Sequence, residues 1–248
     1  MLLVDAHCHL HEYSEEDIKR ILSKQPLIII AVSDDYLSSL RTLALARMYK
    51  QAVIPCLGIH PWSVHELADP IAEAKKIVRL CVDANVNCIG EVGLDRKFYP
   101  ETFDIQLRVF KVFLEAARDY DMVLNIHAAG AWDDVLKLLL QYRIRRALIH
   151  WYTGPLSLLN EIVKHGYFIS INPAVKVQKK HANIAERAPL ESILTESDGP
   201  YNYRGLKLSP LLLPDTVREL SRIKGVSYSS VVEAVRNNVY RLFSLDLK

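Results

Sequence analysis

No CxxC pair occurs in the chain: its four cysteines, Cys8, Cys56, Cys81 and Cys88, stand singly among 248 residues. That pattern excludes a small scaffold stapled by disulfides and predicts reduced, mostly buried thiols in a cytoplasmic protein. An excess of one charge sign is also missing. Lysine and arginine number 31 against 29 aspartates and glutamates, a net +2. This excludes a protein that coats nucleic acid by charge alone, but not an enzyme that meets phosphates inside one cleft. Near the N-terminus the longest apolar run is Leu27–Val32, far short of the about 20 residues that a membrane crossing needs. No basic leader with a cleavage site precedes the first apolar run, so neither a membrane anchor nor a removable targeting segment is expected. No glycine/serine linker, charge block or short repeat interrupts the chain. Residues 1–248 are therefore expected to form one domain, and nothing in them implies an obligate protein partner. A glycine-rich phosphate loop is missing as well: Asp5–His11 stands after the first apolar run instead, which argues against a dinucleotide site.

What is present is a regular alternation. Eight short aliphatic runs recur: Leu2–Ala6, Leu27–Val32, Val53–Leu57, Asn87–Val92, Met122–Ile126, Ala147–Ile149, Tyr167–Ile171 and Ile193–Leu194. They are nearly continuous rather than alternating, as strands of a parallel sheet buried on both faces are. Between them, Leu37–Tyr49, Ile71–Ala84, Phe103–Asp119 and Leu156–His165 space apolar residues by three and four, the period of amphipathic helices. Eight strand–helix units in a chain of this length predict an α/β protein with a closed (β/α)8 TIM barrel. Val217–Ile223 and Ser229–Leu242 then read as closing helices packed on it.

Five of the predicted strands end in residues that bind metals. His7 and His9, two apart on an extended backbone, point the same way. Glu91 sits inside an apolar, glycine-flanked run, where a charge must be paired, protonated or metal-bound. His127, His150 and Asp198 close three later strands. Taken singly, each has an ordinary explanation: a solvated strand end, a core ion pair, a satisfied core histidine, a turn aspartate. Together they gather at the face where barrels assemble catalytic sites. Four histidines and two carboxylates suffice for two divalent ions (Zn, Mn, Mg or similar) if one carboxylate bridges them.

The longer motifs sharpen this. The chain reads Asp5-Ala6-His7-Cys8-His9, then Gly58-Ile59-His60-Pro61, then Gly90-Glu91-Val92-Gly93-Leu94-Asp95. Later come His127, His150-Trp151-Tyr152-Thr153-Gly154 and Glu196-Ser197-Asp198-Gly199-Pro200. This set resembles the TatD family of metal-dependent deoxyribonucleases, within the amidohydrolase-like barrels, from Asp5 to about Phe243. The resemblance implies His7, His9, Glu91 and Asp198 on one metal and Glu91, His127 and His150 on the second, with Glu91 bridging. It further implies a hydrolase acting on DNA phosphodiesters, in which Glu91 and Asp198 are catalytic and Asp198 helps deprotonate or orient water. Two positions depart from the family. Ala129 stands where an arginine is common, and Arg204-Gly205-Leu206-Lys207-Leu208-Ser209-Pro210 lacks the family's asparagine at Leu208. Both fall where substrate would be held, so a dinuclear-metal enzyme acting on a small amide, ester or lactone stands as the alternative, and a non-catalytic barrel scaffold behind it.

Around the site, His60 either binds a phosphate or packs. Lys176, Lys179 and Lys180 form either a phosphate grip or a solvated basic loop, and Arg204 joins them in the expected DNA contact. Asp95 either orients a ligand from behind or caps a helix. His11 and His65 read as exposed, and Trp62, Trp132 and Trp151 as cleft walls or packing.

Overall fold

A computed structural model describes residues 1–244. Each of the eight aliphatic runs becomes a strand: β1 Leu3–Cys8, β2 Leu27–Ala31, β3 Val53–Pro55, β4 Cys88–Gly93, β5 Val123–His127, β6 Ala147–Ile149, β7 Phe168–Ile171 and β8 Ile193–Thr195. All but β3 are buried along their whole length, as the unbroken apolar runs require. Helices separate them: α1 Glu15–Lys24, α2 Tyr36–Met48, α3 Pro70–Asp83, α4 Phe103–Tyr120, α5 Trp132–Gln141, α6 Leu156–Lys164 and α7 Lys179–Arg187. A two-residue hairpin, β9 Asn202–Tyr203 with β10 Leu206–Lys207, follows β8. The chain then runs into the closing helices α8 Leu213–Lys224 and α9 Tyr228–Phe243. Among the described residues no helix is long and apolar enough to cross a membrane.

The barrel is made of two parallel arcs, β1–β2–β3 and β4–β5–β6–β7–β8, joined at two seams. At the first, the Asp198 amide donates to the His7 carbonyl at 3.0 Å and the His9 amide to the Gly199 carbonyl at 2.9 Å. The Thr195 hydroxyl donates to the Val4 carbonyl at 2.7 Å just below. At the second, the Leu57 amide donates to the Cys88 carbonyl at 3.1 Å and the Gly90 amide to the Leu57 carbonyl at 3.0 Å. Cys56 and Cys88 are disulfide-bonded across this same seam, with their Cα atoms 4.5 Å apart. This corrects the expectation of four reduced thiols and removes Cys56 and Cys88 from the argument for a cytoplasmic setting. Only Cys8 and Cys81 are free, and both are buried. The pair is 32 residues apart in sequence, and neighbouring barrel strands about 4.8 Å apart bring it together. Cysteine spacing carries no trace of that.

Strand β4 is irregular where it matters. Its register against β5 shifts between Ile89 and Val92, and the Gly90–Glu91 peptide in that interval is cis. Here β4 also reaches across to Ser33, two residues past β2: the Glu91 amide donates to the Ser33 carbonyl at 3.0 Å and the Ser33 amide to the Gly90 carbonyl at 3.1 Å. The two glycines flanking this stretch are dictated by space. A Cβ on Gly90 would lie 2.6 Å from the Cβ of Asn125. Gly93 has φ +146° and its backbone lies so close to β5 that a Cβ would overlap the His127 carbonyl oxygen.

Two outcomes test this picture. Gly93→Ala is expected to lower unfolding stability by about 2–4 kcal/mol, from backbone strain added to overpacking; an unchanged urea midpoint would show that β4 and β5 do not approach as closely as described. Unfolded without reductant, the protein should titrate two thiols, Cys8 and Cys81, and four once reduced. Four before reduction would show Cys56 and Cys88 to be unbonded.

Candidate metal centre

Every residue of the expected metal set lies at the C-terminal mouth of the barrel. β1 delivers His7 and, one residue past its end, His9; β4 delivers Glu91; β5 ends in His127; His150 follows β6 and Asp198 follows β8. The structure brings all six together, with His7 Nε2 3.6 Å and His9 Nε2 3.7 Å from Asp198 Oδ1. Asp198 holds φ +52°, a left-handed backbone that a non-glycine residue keeps only where its surroundings impose it.

Glu91 is the centre of the arrangement, and its two oxygens serve different partners. Oε2 faces His7 Nε2 and His9 Nε2, each at 3.1 Å. Oε1 faces His127 Nδ1 and His150 Nε2, each at 2.9 Å, and His60 Nε2 at 3.2 Å. Burial opposes ionisation of this carboxyl, but the charges of His60, His150 and His7 and the hydrogen bond from His127 outweigh it and hold the group well below the usual carboxylate range.

The outer nitrogens of the rings decide what the inner ones can do. His7 Nδ1 lies 2.8 Å from Asn125 Oδ1, an orientation fixed because Asn125 Nδ2 donates to the Ala6 carbonyl. His9 Nδ1 pairs with Asp34 Oδ1 at 3.0 Å, His127 Nε2 with Asp95 Oδ2 at 2.8 Å, and His150 Nδ1 faces Glu196 Oε1 at 3.7 Å. For His7 and His127, whose outer nitrogens each have an oxygen at 2.8 Å, that acceptor places the neutral ring's proton on the outer nitrogen, so the inner nitrogen turns a lone pair toward Glu91. His60 is the exception: its Nδ1 accepts from the Trp62 amide at 3.0 Å, so its inner Nε2 bears the hydrogen. Burial, the leading cause, lowers its pKa, only partly offset by Glu91. His60 thus turns a donor toward the centre.

Lone pairs of His7 and His127 facing one carboxylate at 2.9–3.1 Å repel it unless positive charge stands between them. Burial alone would lower the pKa values of His9 and His150. For His9 the Asp34 charge outweighs burial, aided by hydrogen bonds to Asp198, Asp34 and Glu91; for His150 the Glu91 charge leads, and both rings end well above the usual histidine value. The donor set therefore demands cationic charge, and imidazole nitrogens with carboxylate oxygens are the ligands that Zn, Mn and similar divalent ions take. The residues present fit metal ions.

Several supporting residues were not singled out in the sequence. Asp34 accepts from His11 at 3.0 Å and pairs with His9 at 3.0 Å; burial would raise its pKa, but the two histidines outweigh it and hold the group far down. It was hidden because Asp34-Asp35 reads as a helix cap, which Asp35 is. His11 is accordingly half-buried rather than an exposed loop residue. Glu196, two residues before Asp198, is anchored by the Ser170 hydroxyl at 2.6 Å and the Trp151 amide at 3.0 Å. Asp95 orients His127 while accepting Trp62 Nε1 at 2.6 Å and the Lys97 and Phe98 amides at 2.7 Å. These partners outweigh the burial that opposes its ionisation and bring its pKa to about 2. Asp5, which takes the Ser197 amide at 2.8 Å, is instead pushed by burial up to about 8.

A cavity of about 300 Å³ opens above Glu91, with Trp62, Trp132 and Trp151 in its wall. Most of the expected DNA-gripping cations are not there. Lys179 and Lys180 are the first two residues of α7 rather than part of a loop, and Lys176 pairs with Asp215 at 3.2 Å. Arg204, at the β9–β10 turn, lies over the Tyr203 ring at 5.3 Å. None of the four lines the cavity, whereas Lys97, which the sequence did not single out, does.

Known proteins resemble this chain over nearly their whole length. The chain is 27% identical over 260 residues to the deoxyribonuclease TATDN3 of Homo sapiens, covering 97% of this chain and 94% of that protein. It is 28% identical over 247 residues to an uncharacterized metal-dependent hydrolase of Methanocaldococcus jannaschii, covering 97% and 96%. A crystal structure of YJJV, a TatD homologue from Escherichia coli K12, superposes with a TM-score of 0.88 over 98% of both chains at 24% identity, a likeness of fold. The family model described as TatD related DNase matches residues 4–244. The chain belongs to that family and is a hydrolase of it.

Proposed function

We propose that this hydrolase cleaves phosphodiester bonds in DNA with two divalent cations in one barrel domain, which His7, His9, Asp198 and Glu91 on one side and His127, His150 and Glu91 on the other would hold. The observation that carries the reading is the partition of that carboxylate. His7, His9 and Asp198 lie on the Oε2 side, and His127 and His150 on the Oε1 side. When bound there, divalent cations supply Lewis acidity, making water a nucleophile at neutral pH and offsetting charge on phosphoryl oxygens.

The chain's own groups do the rest. Glu91 keeps both ligand sets at fixed spacing. Asp198, at the open edge of the centre and 6% exposed, receives the proton of the attacking water on its carboxylate. His60 donates Nε2–H to a non-bridging phosphoryl oxygen; the Trp62 amide on Nδ1 keeps that proton in place. The acceptors behind His7, His9, His127 and His150 hold the rings so that little reorganisation accompanies the reaction. Trp62, Trp132 and Trp151 offer apolar surface for sugar and base.

Two measurements test the reading. His127→Ala or His150→Ala should bring the metal content from two ions per chain toward one, Glu91→Ala should disturb both, and His60→Ala should keep both while kcat falls about 10²–10³-fold. Equal partial loss in every variant, His60→Ala included, would contradict the assignment. The purified protein should also cut single-stranded DNA in a metal-dependent, chelator-sensitive way and leave amides and lactones intact; turnover of an amide or lactone without DNA cleavage would replace the reading with the small-molecule one.

A further inference from the structure

Lys97 is the one lysine or arginine among the described residues that line the cavity. It stands on the loop after β4, against the turn after β5 where the chain has Ala129 and Gly130. The Arg96 amide donates to the Ala129 carbonyl at 2.9 Å, and a Cβ on Gly130 would lie 3.3 Å from the Lys97 nitrogen and 3.4 Å from its Cβ. Two small residues thus leave this corner to Lys97. Its backbone is not free to drift, because its amide donates to Asp95, the carboxylate that also orients His127.

The ammonium itself is uncommitted. Arg96 pairs with Asp134 at 2.8 Å and Lys176 with Asp215, whereas among the described residues no carboxylate pairs with Lys97. Its Nζ lies over the Phe98 ring, 4.5 Å from the centroid. Phe98 lines the cavity too, is 50% exposed, and sets its ring edge against Trp62 with centroids 5.5 Å apart. An unpaired cation beside an exposed, braced aromatic ring is the pairing that a nucleotide needs: one group for the phosphate, one for the base face.

We propose that Lys97 and Phe98 form a nucleotide subsite at the cavity rim, Lys97 Nζ holding the phosphate adjacent to the scissile one and Phe98 carrying a base. The proposal rests on the DNA reading above and assigns the grip to the β4 loop instead of to Lys176, Lys179, Lys180 and Arg204.

The test is equilibrium binding of a fluorescent single-stranded oligonucleotide to the full-length protein across a salt series, with cleavage and metal content followed alongside. Lys97→Met should weaken binding and make the slope of log affinity against log salt shallower by about 0.7, the loss of one phosphate contact. Lys97→Arg should restore the slope. Phe98→Ala should weaken binding at least about fivefold, the lower end for one base–aromatic stack, with the slope unchanged. Metal content should stay at the parent level in all three. If the parent binds and cleaves the oligonucleotide while Lys97→Met keeps the parent's affinity and slope, the subsite is wrong and the DNA reading stands. The subsite is equally wrong if the slope falls only in a Lys176/Lys179/Lys180→Met triple variant. If the parent binds and Lys97→Met lowers the slope but no metal supports cleavage, the subsite stands and the cleavage reading falls. A parent that does not bind the oligonucleotide overturns both.

Discussion

One buried carboxylate sets the terms for the rest of the molecule. Withdrawing an ionised carboxylate from water costs several kcal/mol even after the surroundings relax, and Glu91 is 1% exposed. Its position is tolerable because five imidazole nitrogens converge on its two oxygens. That convergence requires β4 to run very close to its neighbours. Gly90 against Asn125 and Gly93 against the His127 carbonyl are the places where any side chain would push the strands apart. The glycines around Glu91 are therefore part of the electrostatic solution.

The histidines do not act alike, although their sequence contexts look alike. An amide oxygen behind His7 and a carboxylate behind His127 leave those rings acceptors toward the centre, while a backbone amide behind His60 makes that ring a donor. The distinction lies in what stands 3–4 Å behind each ring. Substituting an outer partner such as Asn125 or Asp95 changes which nitrogen carries the proton without touching the centre directly.

The barrel and the inward-facing residues at its strand ends were legible in the sequence for a local reason. Both depend on short unbroken apolar runs ending in His, Glu or Asp, and a run of five residues can be read without knowing its neighbours. Helix α7 was hidden because Lys179 and Lys180 open it close after Lys176, so its start looked like a basic loop. The Cys56–Cys88 bond and the Asp34, Asn125 and Glu196 partners were illegible for the opposite reason. Each joins different strands or the loops after them, and no spacing along the chain encodes which strands lie side by side. Lys97 was missed because its significance comes from Ala129 and Gly130, more than thirty residues away.

The seam between the first and last strands has a consequence in time. His7 and His9 belong to the first ten residues, whereas Asp198 is reached only after β8, and the backbone bonds that bring them together link residues such as Asp198 and His7. A ribosome releases the chain from its N-terminus, so the first two imidazoles wait through synthesis of nearly the whole barrel before their carboxylate partner exists. No nascent chain that stops short of β8 brings the two histidines of the first strand together with Asp198.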